Sequence, residues 1–354
     1  MDVGSLAAFL AEQTGAATVL VDNLHKLAGG AIQENWAADL VVDGGPQAGV
    51  IAVVIRCDAA SGVGHSHTRA QEFALLKAAF TAGVTVPEPL WCGDKSVFGR
   101  DFFVMRRVNG TSAGHRLVKD LSLGGENAGR AVLVQRLGEE IAKIQRVQPS
   151  IELSFLEQPE IHPALHFIAR SRAYLDSHHT PYPALEWGLR WLEQQVPDCD
   201  GWRKEQLVLA HRDFRTGNYL VDAHGLTGVL DWEFAGWSHP LEDLGWLCAR
   251  CWRFGQQGDA KAAGGIGSRA DLLAGYNRIS GRTVIPAELY YWEVFGELRW
   301  AIIAIGQGER HIAGREASLE LALTSHLVPE LELHILRLTG IDFSAELQAG
   351  ENHA

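Results

Sequence analysis

The chain has 354 residues, 47% hydrophobic and 21% charged, enough for one two-lobed enzyme or two ordinary domains. A formal net charge of -12 excludes a nonspecific nucleic-acid surface, because such binding rests on Lys and Arg neutralising phosphates. No basic segment followed by a long apolar core opens the sequence, so neither a secretory signal nor a membrane span is expected, and a cytoplasmic location follows.

Residues 18–25 and 36–42 are predicted strands on either side of Gly29 and Gly30, which would let backbone approach a phosphate closely or simply make a hairpin turn. A β-branched run over 50–56 predicts a strand ending on Arg56. A helix should start near Thr68, which has capping-box spacing to Gln71, with Phe73, Leu76 and Phe80 as its apolar face and Glu72 in its first turn. Residues 84–90 read as a proline-punctuated connection, 102–105 as a strand, and 106–110 as a polar crossing ended by glycine. Beyond residue 111 the pattern is helical, with one stripe at Leu133, Leu137, Ile141 and Ile144, and further helices expected over 161–177, 184–196, 241–254, 286–306 and 316–338. Residues 348–354 read as a loose tail.

The richest stretch is LVLAHRDFRTGNYLVDAHGLTGVLDWE, residues 207–233. A short apolar run ends at Ala210, a polar loop carries Asp213, and two strand-like runs joined by a turn at 222–225 fold back so that Asp231 returns beside Gly217 and Asn218. Two carboxylates and an amide are thereby gathered, and Mg²⁺ prefers such hard oxygen donors alongside substrate phosphates. Asn218 and Asp231 suit the metal, and Asp213 is left to orient an attacking hydroxyl and accept its proton.

HRDFRTGNYLVD followed by GVLDWEFAGWSHPLEDLGWL resembles the phosphotransferase family that contains aminoglycoside phosphotransferases and choline kinases, and within it the branch related to the kinase-like domain of acyl-CoA dehydrogenase fusion proteins. The resemblance runs from about residue 20 to about residue 310. It implies an α+β, two-lobed, protein-kinase-like fold: a small antiparallel-sheet lobe over 1–105 as nucleotide clamp, a hinge at 106–110, and a mostly helical lobe over 111–354 with the catalytic loop and acceptor region. It also implies ATP, or alternatively GTP, bound with Mg²⁺ in the cleft. Asp213 matches the catalytic aspartate, Asn218 and Asp231 the metal ligands, and His211 and Asp243 residues that support the loop. Arg56 stands where kinases place the lysine that holds the nucleotide phosphates, a departure that keeps the charge. Glu72 would pair with it, and the hinge backbone at Met105, Arg106 and Arg107 would meet the adenine edge. Glu233 fits either a second metal or a solvent-facing position. Trp237 is a candidate acceptor contact on a glycine-bearing loop.

Five cysteines give no disulfide framework, and Cys248 and Cys251 are read as core residues. His65 and His67 are expected to face solvent. Glu242, Glu293 and Glu297 are carboxylates that would either line an acceptor pocket or be paired. The leading reading is a kinase acting on a hydroxyl of a small molecule, with no nucleic-acid or membrane partner. A non-catalytic nucleotide-binding relative, and a metal-dependent hydrolase using His211, Asp213, Asp231 and His239, are the alternatives.

Overall fold

A computed structural model of the protein describes residues 1–27, 33–58, 66–119, 129–197, 201–314 and 318–341. Gly29, Gly30, His65 and the tail expected over 348–354 lie outside the described residues.

A helix the sequence reading does not anticipate, α1 (Val3–Thr14), opens the chain; the Asp2 side chain accepts the Gly4 and Ser5 N–H groups at its start, and Gly15 ends it in a left-handed conformation. β1 (Thr18–Lys26), β2 (Gln33–Asp43), β3 (Gly49–Asp58), α2 (Arg69–Thr81), β4 (Pro89–Gly93), α3 (Lys95–Phe98) and β5 (Phe102–Arg106) follow. The five strands form one antiparallel sheet in the order β1-β2-β3-β5-β4. Alternation along the strands gives it two faces. Val19, Val21, Leu40, Val42, Val53, Ile55 and Val104 pack with Leu6 and Leu10 of α1 into a core of their own. Arg56 and Met105 point the other way.

The segment read as a plain connection ends in β4. Pro89 is tolerated there because β4 is an edge strand, where a missing N–H costs no ladder bond. On α2 the buried side is Arg69, Glu72, Leu75, Leu76 and Ala79; Leu76 and Phe73 of the expected apolar face pack on the core, while Phe80 is exposed.

The second lobe comprises α4 (Gly114–Lys119), α5 (Gly129–Ile144), α6 (Pro163–Asp176), α7 (Pro183–Gln194), β6 (Val208–Ala210), β7 (Tyr219–Asp222), β8 (Gly225–Val229), β9 (Gly236–Ser238), α8 (Glu242–Cys248), α9 (Arg269–Ser280), α10 (Pro286–Ile312), α11 (Leu319–Ser325) and α12 (Val328–Leu338). The stripe expected on α5 is buried. It packs on α9, absent from the sequence reading, so closely that a Cβ on Gly275 would sit 1.8 Å from the Gln135 carbonyl oxygen. The helix expected over 241–254 stops at Cys248 and gives way to a 3₁₀ turn at Arg250–Trp252. The span expected as one helix to residue 338 is broken into α11 and α12, with Pro329 in the first turn of α12.

Backbone contacts and a glycine crossing help to join the lobes. The Thr85 carbonyl accepts the Val229 N–H at 2.8 Å while its own N–H donates to Glu140 at 2.7 Å, fixing the α2–β4 segment to α5 and β8. After β5 the chain crosses at Gly110, whose φ of 134° and proximity to Thr227 Oγ1, 2.9 Å from an added Cβ, leave room only for glycine.

Candidate active site

The short strand β6 delivers His211, Arg212 and Asp213 into the cleft. Asp243 braces them from α8: its carboxylate accepts the His211 N–H at 2.7 Å and the Arg212 N–H at 2.8 Å. Burial and the neighbouring Glu242 push Asp243 up to about 7, against the pull of those two N–H groups. His211 is fully buried; Nε2 donates to the Leu230 carbonyl at 2.9 Å, and Nδ1 accepts the Asp213 N–H at 3.3 Å. Those partners define a neutral tautomer, and burial accordingly lowers its pKa, with Asp213 opposing. His211 therefore ties the loop to the end of the β7–β8 hairpin.

Asp213 is held on both oxygens. Oδ1 accepts Arg215 Nε and Trp246 Nε1, each at 3.1 Å, and Oδ2 accepts Asn218 Nδ2 at 2.5 Å. The same Nδ2 reaches the Asp213 carbonyl at 3.0 Å, so the Asn218 amide is oriented with its oxygen left over. The hairpin brings Asp231 back: Leu230 N–H donates to the Asn218 carbonyl at 2.8 Å. Asp231 has φ 69° and Arg212 φ 61°, left-handed conformations that cost a non-glycine residue energy and recur where side chains must be aimed.

From the small lobe, Arg56 reaches Asp231 with Nη2 at 2.5 Å and Glu72 with Nε at 3.0 Å. Burial alone would raise the Asp231 carboxyl, but the Arg56 guanidinium, aided by Arg215, holds it below the usual range. Burial likewise disfavours the Arg56 charge, yet Glu72, Asp231 and Glu233 outweigh it and raise its pKa. Glu72 is placed by the Thr68–Gln71 capping box, which closes in both directions at 3.3 and 3.0 Å, and it also pairs with buried Arg69. Arg56, Glu72, Asp231, Asn218 and Asp213 thus converge. The Asn218 amide oxygen and the Asp231 carboxylate, the latter with 33% of its side chain exposed, are hard donors that fit Mg²⁺.

Other expected residues fall elsewhere. Glu233 is buried, 3.9 Å from Arg69, rather than facing solvent. Trp237 is a core residue on β9, paired opposite Leu209, not a loop residue at the cleft. His67 does not face solvent: Nε2 donates to the Ala235 carbonyl at 2.7 Å, and its N–H donates to the Glu233 carbonyl. Met105 is half-buried on β5; the Arg106 and Arg107 N–H groups are taken by the Glu88 and Ala52 carbonyls, and their side chains by Glu88 and Asp39. Cys248 is buried within α8 and Cys251 sits in the turn after it. Among the described residues, no three His, Cys, Asp or Glu side chains form a metal-binding group, and His239 is stacked on Trp292 at 4.4 Å.

Sequence reasoning missed Arg215 and Trp246. Arg215 carried a signal, since it lies two residues after Asp213 inside the motif; Trp246 had none, because its bond to Asp213 spans 33 positions and was hidden within an apolar helix.

The model of the phosphotransferase enzyme family matches residues 26–281. The chain belongs to this family. Among curated relatives it is 28% identical over 296 residues to acyl-CoA dehydrogenase family member 11 of Homo sapiens, covering 80% of this chain and 36% of that protein. It is 29% identical over 189 residues to family member 10 of Mus musculus, covering 52% and 17%. The chain therefore spans little more than a third, 36%, of the human relative's length. Among solved structures, a putative aminoglycoside phosphotransferase from Ralstonia eutropha superposes with a TM-score of 0.72 at 21% identity, covering 96% of this chain and 98% of that one. An aminoglycoside phosphotransferase in ternary complex with ADP and hygromycin B gives 0.60 at 16% identity, covering 96% and 100%. The two-lobed kinase-like fold of this phosphotransferase-family chain follows from these likenesses and from its sheet and helices.

Proposed function

We propose that the chain is an ATP-dependent O-phosphotransferase that moves the γ-phosphoryl group to a hydroxyl of a small molecule. The observation that carries this reading is the convergence of Asp213, Asn218 and Asp231 on one wall of a cleft whose other wall presents the Arg56–Glu72 pair. Family membership supports the reaction class. The complexes of similar folds with ADP and, for an aminoglycoside 2'-phosphotransferase, with GDP support a nucleoside polyphosphate, with GTP as the alternative to ATP.

In this reading residues 1–105 clamp the nucleotide, 106–110 hinge the lobes and 111–354 carry catalysis and acceptor binding. Arg56 binds nucleotide phosphate oxygens as a bidentate cation, positioned by Glu72. With the Arg106 and Arg107 N–H groups already taken, the base is met by the remaining hinge backbone around Val108. Asn218 and Asp231 would hold Mg²⁺, whose contribution when bound is to neutralise charge on the phosphates. Asp213 accepts a hydrogen bond from the acceptor hydroxyl and takes its proton as that oxygen bonds to the γ-phosphorus. The bond from γ-phosphorus to the bridging oxygen breaks, and ADP carries the electron pair away. Because Arg215, Trp246 and Asn218 hold the Asp213 carboxylate, its unshared lone pairs are aimed before the acceptor arrives. A cytoplasmic location suits such a reaction, and among the described residues no helix is long and apolar enough to cross a membrane.

The test is thermal unfolding of the parent and of Asp231→Ala with ATP, GTP or no nucleotide, with and without Mg²⁺. A ligand bound only by the folded state raises its stability by mass action. A Mg²⁺-dependent rise in the parent that disappears in the variant is the expected result; no rise with either nucleotide would sink the proposal.

A further inference from the structure

On the large-lobe side the three candidate acceptor carboxylates are paired, and the unspent groups are donors. Glu242 is buried against Ser238, Arg212 and Arg299, the two arginines each at 3.3 Å. Glu293 is buried against Arg253 and Arg269. Glu297 accepts the Cys251 N–H at 2.7 Å and lies 3.3 Å from His334. None of the three is left to receive a cation.

Arg215 is in the opposite condition. Its Nε is engaged by Asp213 at 3.1 Å, and among the described residues its two Nη groups have no hydrogen-bond partner. Nη1 lies over Gly217, 2.9 Å from where a Cβ would stand, so the glycine gives the guanidinium its place. The guanidinium carbon sits 4.5 Å from the centroid of the Trp252 ring, and 28% of the arginine side chain remains exposed. Trp252 is only 8% exposed, yet its indole N–H has no acceptor among the described residues, a state that costs a buried donor its lost hydration. Trp246 and Trp300 flank that ring at 5.1 and 4.7 Å, making an aromatic wall that continues to Asp213 through the Trp246 indole.

We infer that the acceptor is a hydroxylated anion, an alcohol bearing a carboxylate or phosphate group, with the anionic group held by Arg215 and the Trp252 indole N–H while its hydroxyl meets Asp213. The inference rests on the phosphotransferase reading of the same site and names its substrate class. A carboxylate or phosphate matches the paired Nη edge of a guanidinium and satisfies the orphaned indole donor. An amino alcohol would instead bring its ammonium against a guanidinium, with Glu242, Glu293 and Glu297 already paired.

The experiment uses the full chain saturated with Mg²⁺ and AMP-PNP, so that the γ-phosphoryl position is filled. Acetate, methyl phosphate and tetramethylammonium are titrated at constant ionic strength while the unfolding midpoint is followed. Acetate or methyl phosphate should raise it saturably and tetramethylammonium should not; the stronger of the two anions tells which group the acceptor carries. R215Q and W252F, each saturated with AMP-PNP at its own affinity, should bind the anion about ten-fold more weakly, as expected for loss of a charge-assisted or buried hydrogen bond. A saturable response to tetramethylammonium alone, or to none of the three, overturns the inference. So does an R215Q variant that binds AMP-PNP more weakly but ADP and acetate normally, because that result would assign the arginine to the transferring phosphoryl group. Should R215Q not fold, the anion-over-cation preference of the parent still decides. Absence of Mg²⁺-dependent AMP-PNP binding in the parent counts instead against the phosphotransferase reading, and the anion titration is then read on nucleotide-free protein.

Discussion

The two walls of the cleft hold their charged residues by different means. In the small lobe Arg56 is one position of a regular strand and Glu72 one position of a capped helix, so register and helix phase aim both, and the ion pair is nearly sealed from water. In the large lobe Asp213, Asn218 and Asp231 stand on irregular backbone, with left-handed φ at Arg212 and Asp231, and are aimed by side chains from α8 and the hairpin: Asp243 on two N–H groups, His211 on the Leu230 carbonyl, Trp246 on Asp213 itself. Regular elements carry their own placement, whereas a functional loop depends on residues distant in sequence to make it rigid.

The sharpest break between the walls is chemical. If the proposed roles hold, Asp213→Asn should lower phosphoryl transfer on the order of 10³-fold while nucleotide affinity changes little, because the variant keeps the shape and loses the proposed proton acceptor. Arg56→Ala should act mainly on nucleotide affinity. A coupled ATP-consumption assay beside equilibrium nucleotide binding separates the two, and loss of the same parameter in both variants would mean that the walls are not specialised as described.

Next come two structural variants. Glu72→Ala leaves the Arg56 and Arg69 guanidiniums buried without their shared carboxylate, and should cost about 4 kcal/mol in denaturant unfolding. Asp243→Ala strands two loop N–H groups and should cost about 3 kcal/mol, with most activity lost as well. The comparison is sharpened if Glu72→Ala chiefly lowers stability while Asp243→Ala lowers turnover out of proportion to its effect on folding. A variant of Asp243 that keeps full activity would contradict the bracing role.

Much of this arrangement was legible in the sequence because it is local. The His211–Asp213–Asn218 spacing, the hairpin that returns Asp231 and the Thr68–Gln71 cap each lie within a short window, and β-branched periodicity located β3. What escaped was set by packing at long range. Trp237 looked like a loop residue because the short strand β9 is defined only by pairing with β6, and Phe80 looked buried because it shares the helical spacing of Phe73 and Leu76. The helices α1 and α9 passed unnoticed; α9 depends on a glycine-mediated contact between two helix backbones that a periodicity of side chains does not register. Trp246, Trp252 and Trp300 were visible only as tryptophans, since ring geometry around Asp213 is a tertiary fact.

The smallest expected effect lies away from the cleft and turns on pH. His239 is half-buried, stacked on Trp292 beside His162, with Nδ1 accepting the Leu241 N–H at 3.1 Å, and desolvation, with His162 and Arg282 adding to it, lowers its pKa from the ordinary 6.5 to about 3. Its folded form is neutral over a range in which the unfolded chain takes up a proton. The stability it contributes is therefore complete above pH 6.5 and is lost progressively as pH falls toward about 3, with a limiting slope of about 1.4 kcal/mol per unit. His239→Asn preserves an acceptor for the Leu241 N–H and removes the titration. Between about pH 7 and about pH 5 the parent should lose about 2 kcal/mol more than this variant in denaturant unfolding. His67, His166 and His211, also lowered by burial, titrate alike in both proteins and cancel in the difference. Parallel pH profiles for parent and variant would show that His239 gains its proton without unfolding the large lobe, and would remove the stacked pair from the groups that set its acid limit.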